Sequence, residues 1–74
     1  MSYSKLRGRI REVFGTQEDF ATAMGMDRST LSQKLNGKSG WTRLEMEKAC
    51  DVLNVNIAEV HLYFFATKVW NSQH

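Results

Sequence analysis

The stretch from Thr16 to Asn36, TQEDFATAMGMDRSTLSQKLN, constrains this chain more than any other, because it spells two short amphipathic helices on either side of a glycine. Over Gln17 to Met24, residues Phe20, Ala21 and Met24 fall on one helical arc, and Thr16 ahead of them supplies an oxygen-bearing N-cap. Gly25 ends that helix, since glycine reaches the left-handed conformation without Cβ strain and can turn the chain sharply. Met26 packs inward at the turn and Asp27 caps the next helix, predicted at about Arg28 to Leu35. That second helix offers Leu31 and Leu35 as its inward apolar residues.

The outer side of the second helix is unusual for a solvated surface. At about 100° per residue, Ser29 and Gln33 lie opposite the Leu31/Leu35 seam, with Arg28, Thr30 and Ser32 beside them and no acid among them. Arg, Ser and Gln are side chains that hydrogen-bond base edges in a major groove. A helix, a tight glycine turn and a polar second helix together make a helix-turn-helix arrangement. Arg28 has two further roles open to it, pairing with Asp27 or holding a phosphate.

From Gly15 to Lys38 the chain resembles the repressor and Cro family of lambdoid phages. The matching residues are Gln17, Ala21, Gly25, Leu31, Leu35 and the run Asn36-Gly37-Lys38. SKLRGRI near the start, GW at 40 and 41, EKAC at 47 to 50 and LYFF at 62 to 65 are similar to a small Cro-like phage subgroup, so the resemblance covers most of the chain. It implies a lambda repressor-like, all-α bundle of about five short helices that binds operator DNA. It also implies that Gln17 and the Asn36-Gly37 step hold phosphates, while the start and middle of the recognition helix touch bases. The expected base contacts are Arg28, Ser29 and Gln33. Gln17, Thr30, Lys34, Asn36, Lys38 and Arg43 are the expected backbone contacts.

Seventy-four residues make one domain with a marginal core. The lone Cys50 cannot form an internal disulfide, and no apolar run is long enough for a membrane span or signal segment, which points to the cytoplasm. A formal net charge of +2 decides little, but its distribution is informative. Residues 1 to 43 carry eight Lys/Arg against four acids, and residues 44 to 74 carry two against four, so a basic half is joined to an acidic one. That asymmetry suits a protein with one face on phosphate and another kept away from it.

The absence of proline and the recurrence of helical spacing predict an all-α domain without linkers or repeats. A first helix is predicted over Ser4 to Phe14, capped by Ser4, with Leu6, Ile10, Val13 and Phe14 inward and Gly15 as its stop. Glu12 is placed to pair with Arg9. Lys5, Arg7, Arg9 and Arg11 read as a solvated face from which some members reach phosphates. Thr42-Arg43-Leu44-Glu45 is a capping box opening a helix whose inner face carries Met46, Ala49, Cys50 and Leu53. Trp41 either anchors the preceding loop or stacks near a DNA backbone. Asn54 ends that helix, and Asn56 to Glu59 opens a last one with Ile57, Val60 and Phe64 inward.

The sequence offers no enzyme. Its acids fall on solvated helix faces, no Gly-rich phosphate loop is present, His61 has no second ligand at i+4, and Cys50 reads as a small buried hydrophobe. No cofactor or metal is expected. Two binding functions stand: a sequence-specific regulator on double-stranded operator DNA, or an interaction protein of antirepressor or antitoxin type that acts by binding a repressor. One recognition helix reads only a few base pairs, so a homodimer or a protein partner is expected to complete the binding unit. Tyr63, Phe65, Val69 and Trp70 are the expected surface for it, unless that apolar tail folds back over the domain's own core.

Overall fold

The computed structural model describes residues 3–65. Within them run five α-helices: α1 Ser4–Phe14, α2 Gln17–Met24, α3 Arg28–Leu35, α4 Arg43–Val52 and α5 Val60–Phe64. A 3-10 turn at Ile57–Glu59 leads into α5, and no strand occurs among the described residues.

Most helix starts are fixed by local chemistry. Thr16 Oγ1 accepts from the Asp19 backbone N–H at 3.1 Å, and Asp27 Oδ1 accepts from that of Thr30 at 2.7 Å. At α4 the capping box is closed in both directions: the Glu45 N–H donates to Thr42 Oγ1 at 3.1 Å and the Thr42 N–H donates to Glu45 Oε1 at 2.8 Å. Each such cap satisfies amides that the helix itself leaves without partners. Gly25 ends α2 in the left-handed region at φ 74°, where its N–H donates to the Thr22 carbonyl, so α2 and α3 are separated only by residues 25–27. Any side chain at Gly25 is strained by that backbone angle.

The helices close around Leu6, Ile10, Phe20, Ala21, Met24, Leu31, Leu35, Ala49, Cys50, Leu53 and Phe64. All five α-helices contribute to this one cluster, with α1 packing on α2 and α5, and α4 on α2 and α5. Cys50 is buried as expected of a small hydrophobe, and burial pushes its thiol above the ordinary cysteine pKa. Arg9 fastens α1 to the far end of α4: its guanidinium donates to the Leu53 carbonyl at 3.0 Å and to Asn54 O at 3.4 Å, and it pairs with Glu12 at 3.2 Å. Asn54 takes φ 57° there, a left-handed conformation that asparagine tolerates better than most residues.

Three expectations fail at the edges of elements, while Asn56 caps the last of them as expected. Tyr3, not Ser4, occupies the cap position of α1, at φ 52° and without a side-chain cap bond, while its ring packs edge-on to Trp41 at 6.4 Å. Val13 is 41% exposed, because Leu6, Ile10 and the half-buried Phe14 already fill the inner face of α1 and Val13 falls to its side. Ile57 is 53% exposed, since the chain enters α5 through a 3-10 turn, whose three-residue winding departs from the α-helical spacing that placed Ile57 inward. The Asn56 side chain accepts from the Ala58 N–H rather than from that of Glu59, in keeping with the same tighter winding.

Gly8 sits in the middle of α1 at an exposed position, and a Cβ added there meets nothing within 4 Å. Glycine in a helix interior costs roughly 0.5–1 kcal/mol relative to alanine through its backbone entropy. Gly8→Ala should therefore raise the thermal midpoint by about 2–8 °C in a domain of this size, as read by circular dichroism. A lowered midpoint would mean that the glycine is needed for a close approach absent from this structure.

Candidate functional site

The outer face of α3 is formed as the sequence predicts. Arg28, Ser29, Thr30, Ser32 and Gln33 are all exposed, while Leu31 and Leu35 are sealed into the core. The Asp27 cap fixes the first turn, and the hydrogen bonds from Thr30 hold the Asp27 carboxyl below its ordinary pKa. Arg28, Ser29 and Gln33 thus lie on one polar, acid-free face, and among the described residues no ion pair joins Arg28 to Asp27.

The expected phosphate contacts are divided. Lys38 is exposed, and its side chain has no hydrogen bond or ion pair among the described residues. Arg43 is solvent-facing but paired with Glu47 one turn on, at 3.0 Å; such exposed i,i+4 pairs contribute about 0.3–0.5 kcal/mol and yield readily to another anion. Gln17 is half-buried and lines a cleft between α1 and α2. Asn36 is exposed but engaged at both ends of its amide, accepting from Arg7 Nη2 at 3.1 Å and donating to Ser32 Oγ at 3.4 Å.

Lys34 departs most from expectation. Its residue is 6% exposed, and its ammonium turns inward to donate to the Gly40 carbonyl at 2.8 Å and pair with Glu45 at 3.1 Å. The same nitrogen lies 5.8 Å from the centroid of the Trp41 ring. Burial pushes the Glu45 carboxyl up, but hydrogen bonds from Thr42 and Lys34, with the charge of Lys34, outweigh it, and the group titrates below the ordinary glutamate value. Lys34 is therefore a strut between α3, the 36–42 loop and the α4 cap, with its ammonium turned inward instead of outward as expected. Trp41 takes the anchoring role: it stacks edge-on to Phe64 at 5.0 Å, with its indole Nε1 buried and unpartnered.

On α5, Tyr63 is half-buried against the core, and Lys5 sits over its ring at 5.2 Å. The exposed apolar surface of this region belongs to Ile57, Leu62 and Phe65, at 53%, 38% and 46% exposure. Val69 and Trp70 lie outside the described residues.

One residue that sequence reasoning left among the solvated charges proves central. Arg7 reaches from α1 to the end of α3, donating to the Leu35 carbonyl at 2.9 Å as well as to Asn36. Its i,i+4 spacing from Arg11 is visible in the sequence, but the partner 28 residues away is not.

A solved structure gives the chain a close relative. It is 46% identical to the modulator of repression (MOR) of the temperate bacteriophage TP901-1 from Lactococcus lactis, covering 88% of each chain with a TM-score of 0.79. None of the curated proteins matches it. The solved relative is thus described by the modulation of repression, not by the Cro or repressor name that residues 15 to 38 suggested. Over residues 1–67 the sequence fits a single family model, and the chain belongs to the family described as "Protein of unknown function (DUF739)".

Proposed function

We propose that this protein is a non-enzymatic regulator of a phage lysis–lysogeny decision, acting in the host cytoplasm by binding a repressor-type protein and changing its behaviour. The observation that carries this reading is the 46% identity, over 88% of both chains, to a phage modulator of repression. The physical state of the polar face supports it. Of the expected backbone contacts Lys34, Asn36, Lys38 and Arg43, Lys34 is spent inside the fold, Asn36 is engaged at both ends and Arg43 is paired, leaving Lys38 uncommitted. Each cation withdrawn from phosphate lowers the log–log salt slope of DNA binding by about 0.9 and weakens the affinity with it. The exposed Ile57, Leu62 and Phe65 supply apolar area that suits a protein partner.

The second reading, contact with operator DNA, is favoured by the exposed Arg28, Ser29 and Gln33 on an acid-free α3. The two readings separate in one gel-shift series on the intergenic DNA beside the gene, run with this protein alone, with the nearest encoded repressor alone, and with both. The partner reading expects little shift by this protein alone and a clear change in the repressor's own shift when both are present. Tight binding by this protein alone, with the repressor's pattern unaltered, would reverse the order of the two. In that case Gln33→Ala should cost roughly 1–3 kcal/mol on the operator and little on random duplex.

A further inference from the structure

The pair Asn36-Gly37 joins the end of α3 to the loop that returns to α4, and both residues are exposed. An asparagine before a glycine is poorly shielded from its own main chain, because the next residue has no side chain to keep its nitrogen from the carboxamide carbon. Asn54 and Asn56 differ in this respect, being followed by the branched side chains of Val55 and Ile57.

Each group that an attack of this kind needs is engaged elsewhere in the fold. Asn36 takes φ −92° and ψ 3° as the cap of α3, and Gly37 turns into the left-handed region at φ 78°. The Gly37 N–H donates to the Lys34 carbonyl at 3.2 Å and the Lys38 N–H to that of Gln33 at 2.9 Å, the paired bonds of a Schellman ending. The Asn36 carboxamide is tied on both sides: its oxygen accepts from Arg7 Nη2 at 3.1 Å and its nitrogen donates to Ser32 Oγ at 3.4 Å. Arg7 is steadied in turn by the Leu35 carbonyl at 2.9 Å. For the Gly37 nitrogen to reach Asn36 Cγ, the carboxamide has to leave Arg7 and Ser32, and the Gly37 N–H has to leave Lys34. Exposed helix ends are where such openings cost least.

We propose that Asn36-Gly37 is a site of spontaneous deamidation, closed by the ties to Arg7 and Ser32 and opened by local fraying of the α3 end. In the open form the Gly37 main-chain nitrogen gives its proton to water and bonds to Asn36 Cγ. The bond from Cγ to Nδ2 breaks, and the amide nitrogen takes up a proton and leaves as ammonia. Water then opens the cyclic imide at either carbonyl, giving aspartate or isoaspartate, with no oxidation or reduction. Aspartate sets a carboxylate next to Ser32, on a face that carries no acid. Isoaspartate lengthens the main chain ahead of Gly37 and breaks the helix ending. The surface at the end of α3 therefore ages irreversibly, at a rate set by a local opening, whichever partner that face meets.

The test follows Asn36 by peptide mapping and mass spectrometry while the full-length protein is incubated in warm, mildly alkaline buffer, beside the synthetic peptide SQKLNGKSG of residues 32–40. The variants are Ser32→Ala and Arg7→Gln, which remove the ties, and Phe20→Ala, which weakens the whole fold; circular dichroism monitors the folded fraction of each. The peptide should lose its carboxamide fastest, and the folded wild type more slowly by on the order of tenfold or more. Ser32→Ala should speed the loss about 2–10-fold, the worth of one hydrogen bond, and Arg7→Gln, which removes a charged donor, should speed it further. A peptide that keeps Asn36 intact would remove the site altogether. Wild type reacting at the rate of the peptide would mean that the ties close nothing. Slower loss in Arg7→Gln would show the guanidinium steadying the developing oxyanion, the reverse of its proposed role. If Arg7→Gln does not fold, Ser32→Ala decides alone. A rate unchanged by Ser32→Ala overturns the local gate, and faster loss in Phe20→Ala alone assigns the reaction to global unfolding.

Discussion

Phe20→Ala should lower the stability of the fold by about 3–5 kcal/mol. Phe20 is fully buried on α2 and its ring packs on that of Phe14 at 5.6 Å, so truncation removes the aromatic from the middle of the only hydrophobic cluster among the described residues. Phe→Ala in a core costs about 3–5 kcal/mol, the transfer loss and the cavity together. A domain of this length has a total stability of roughly 4–11 kcal/mol, so the substitution removes about a quarter of it at best and more than all of it at worst. Urea unfolding followed at 222 nm measures the effect. Val13→Ala is the contrast: it trims an apolar side chain of α1 that is 41% exposed, and should cost under about 1 kcal/mol. Equal losses for the two would mean that the packing described here is not the one in solution.

What the sequence made legible and what it hid divide along the range of the interactions. Thr16, Asp27 and the Thr42–Glu45 box act within three residues of themselves, and all three fall where expected. The inner faces of α2 and α4 also follow, because Phe20, Ala21 and Met24, and Ala49, Cys50 and Leu53, repeat at helical spacing and all close into the one core cluster. Val13, Ile57 and Tyr3 do not, since at an element's end the periodicity says which way a side chain points but not whether anything is there to cover it. The site divides in the same way. The exposed face of α3 is a property of one helix and was readable, whereas Arg7 and Lys34 find their partners 28 and 11 residues away.

Lys34 shows how close the signal came. Leu31, Lys34 and Leu35 have i, i+3, i+4 spacing, which already puts the lysine at the edge of the buried seam. The missing information was that the chain beyond α3 returns with a carbonyl at Gly40 and a carboxylate at Glu45 to meet the ammonium. A Lys stem can bury against apolar surface while its head seeks a polar partner, and here that partner is internal rather than solvent or phosphate. Assigning every cation near a recognition helix to the nucleic acid overlooks this case.

That assignment predicts distinct behaviour for two substitutions at one position. Lys34→Ala deletes both the ammonium and the stem beside Trp41, leaving Gly40 O without its donor and Glu45 with the Thr42 N–H alone. Removing one member of a fully buried ion pair costs about 3–5 kcal/mol; with the Glu45 side chain 28% exposed, water recovers part of this, and a loss of about 2–3 kcal/mol is expected. Lys34→Met keeps the stem and loses only the ammonium, so it should cost less and change Trp41 fluorescence less than alanine does. Acid titration then identifies the source. The Glu45 carboxyl titrates lower in the folded chain than in the unfolded one, so its contribution is fully present above the ordinary glutamate pKa and fades as the pH falls through the lowered folded value. Part of that lowering comes from Lys34, so the stability gap between wild type and Lys34→Met should narrow on acidification through this range. A gap that stays constant would remove Glu45 as the partner. If Lys34→Met were instead as stable as wild type at every pH while binding DNA several-fold more weakly, the ammonium would be serving phosphate, and the internal strut described here would not be its role.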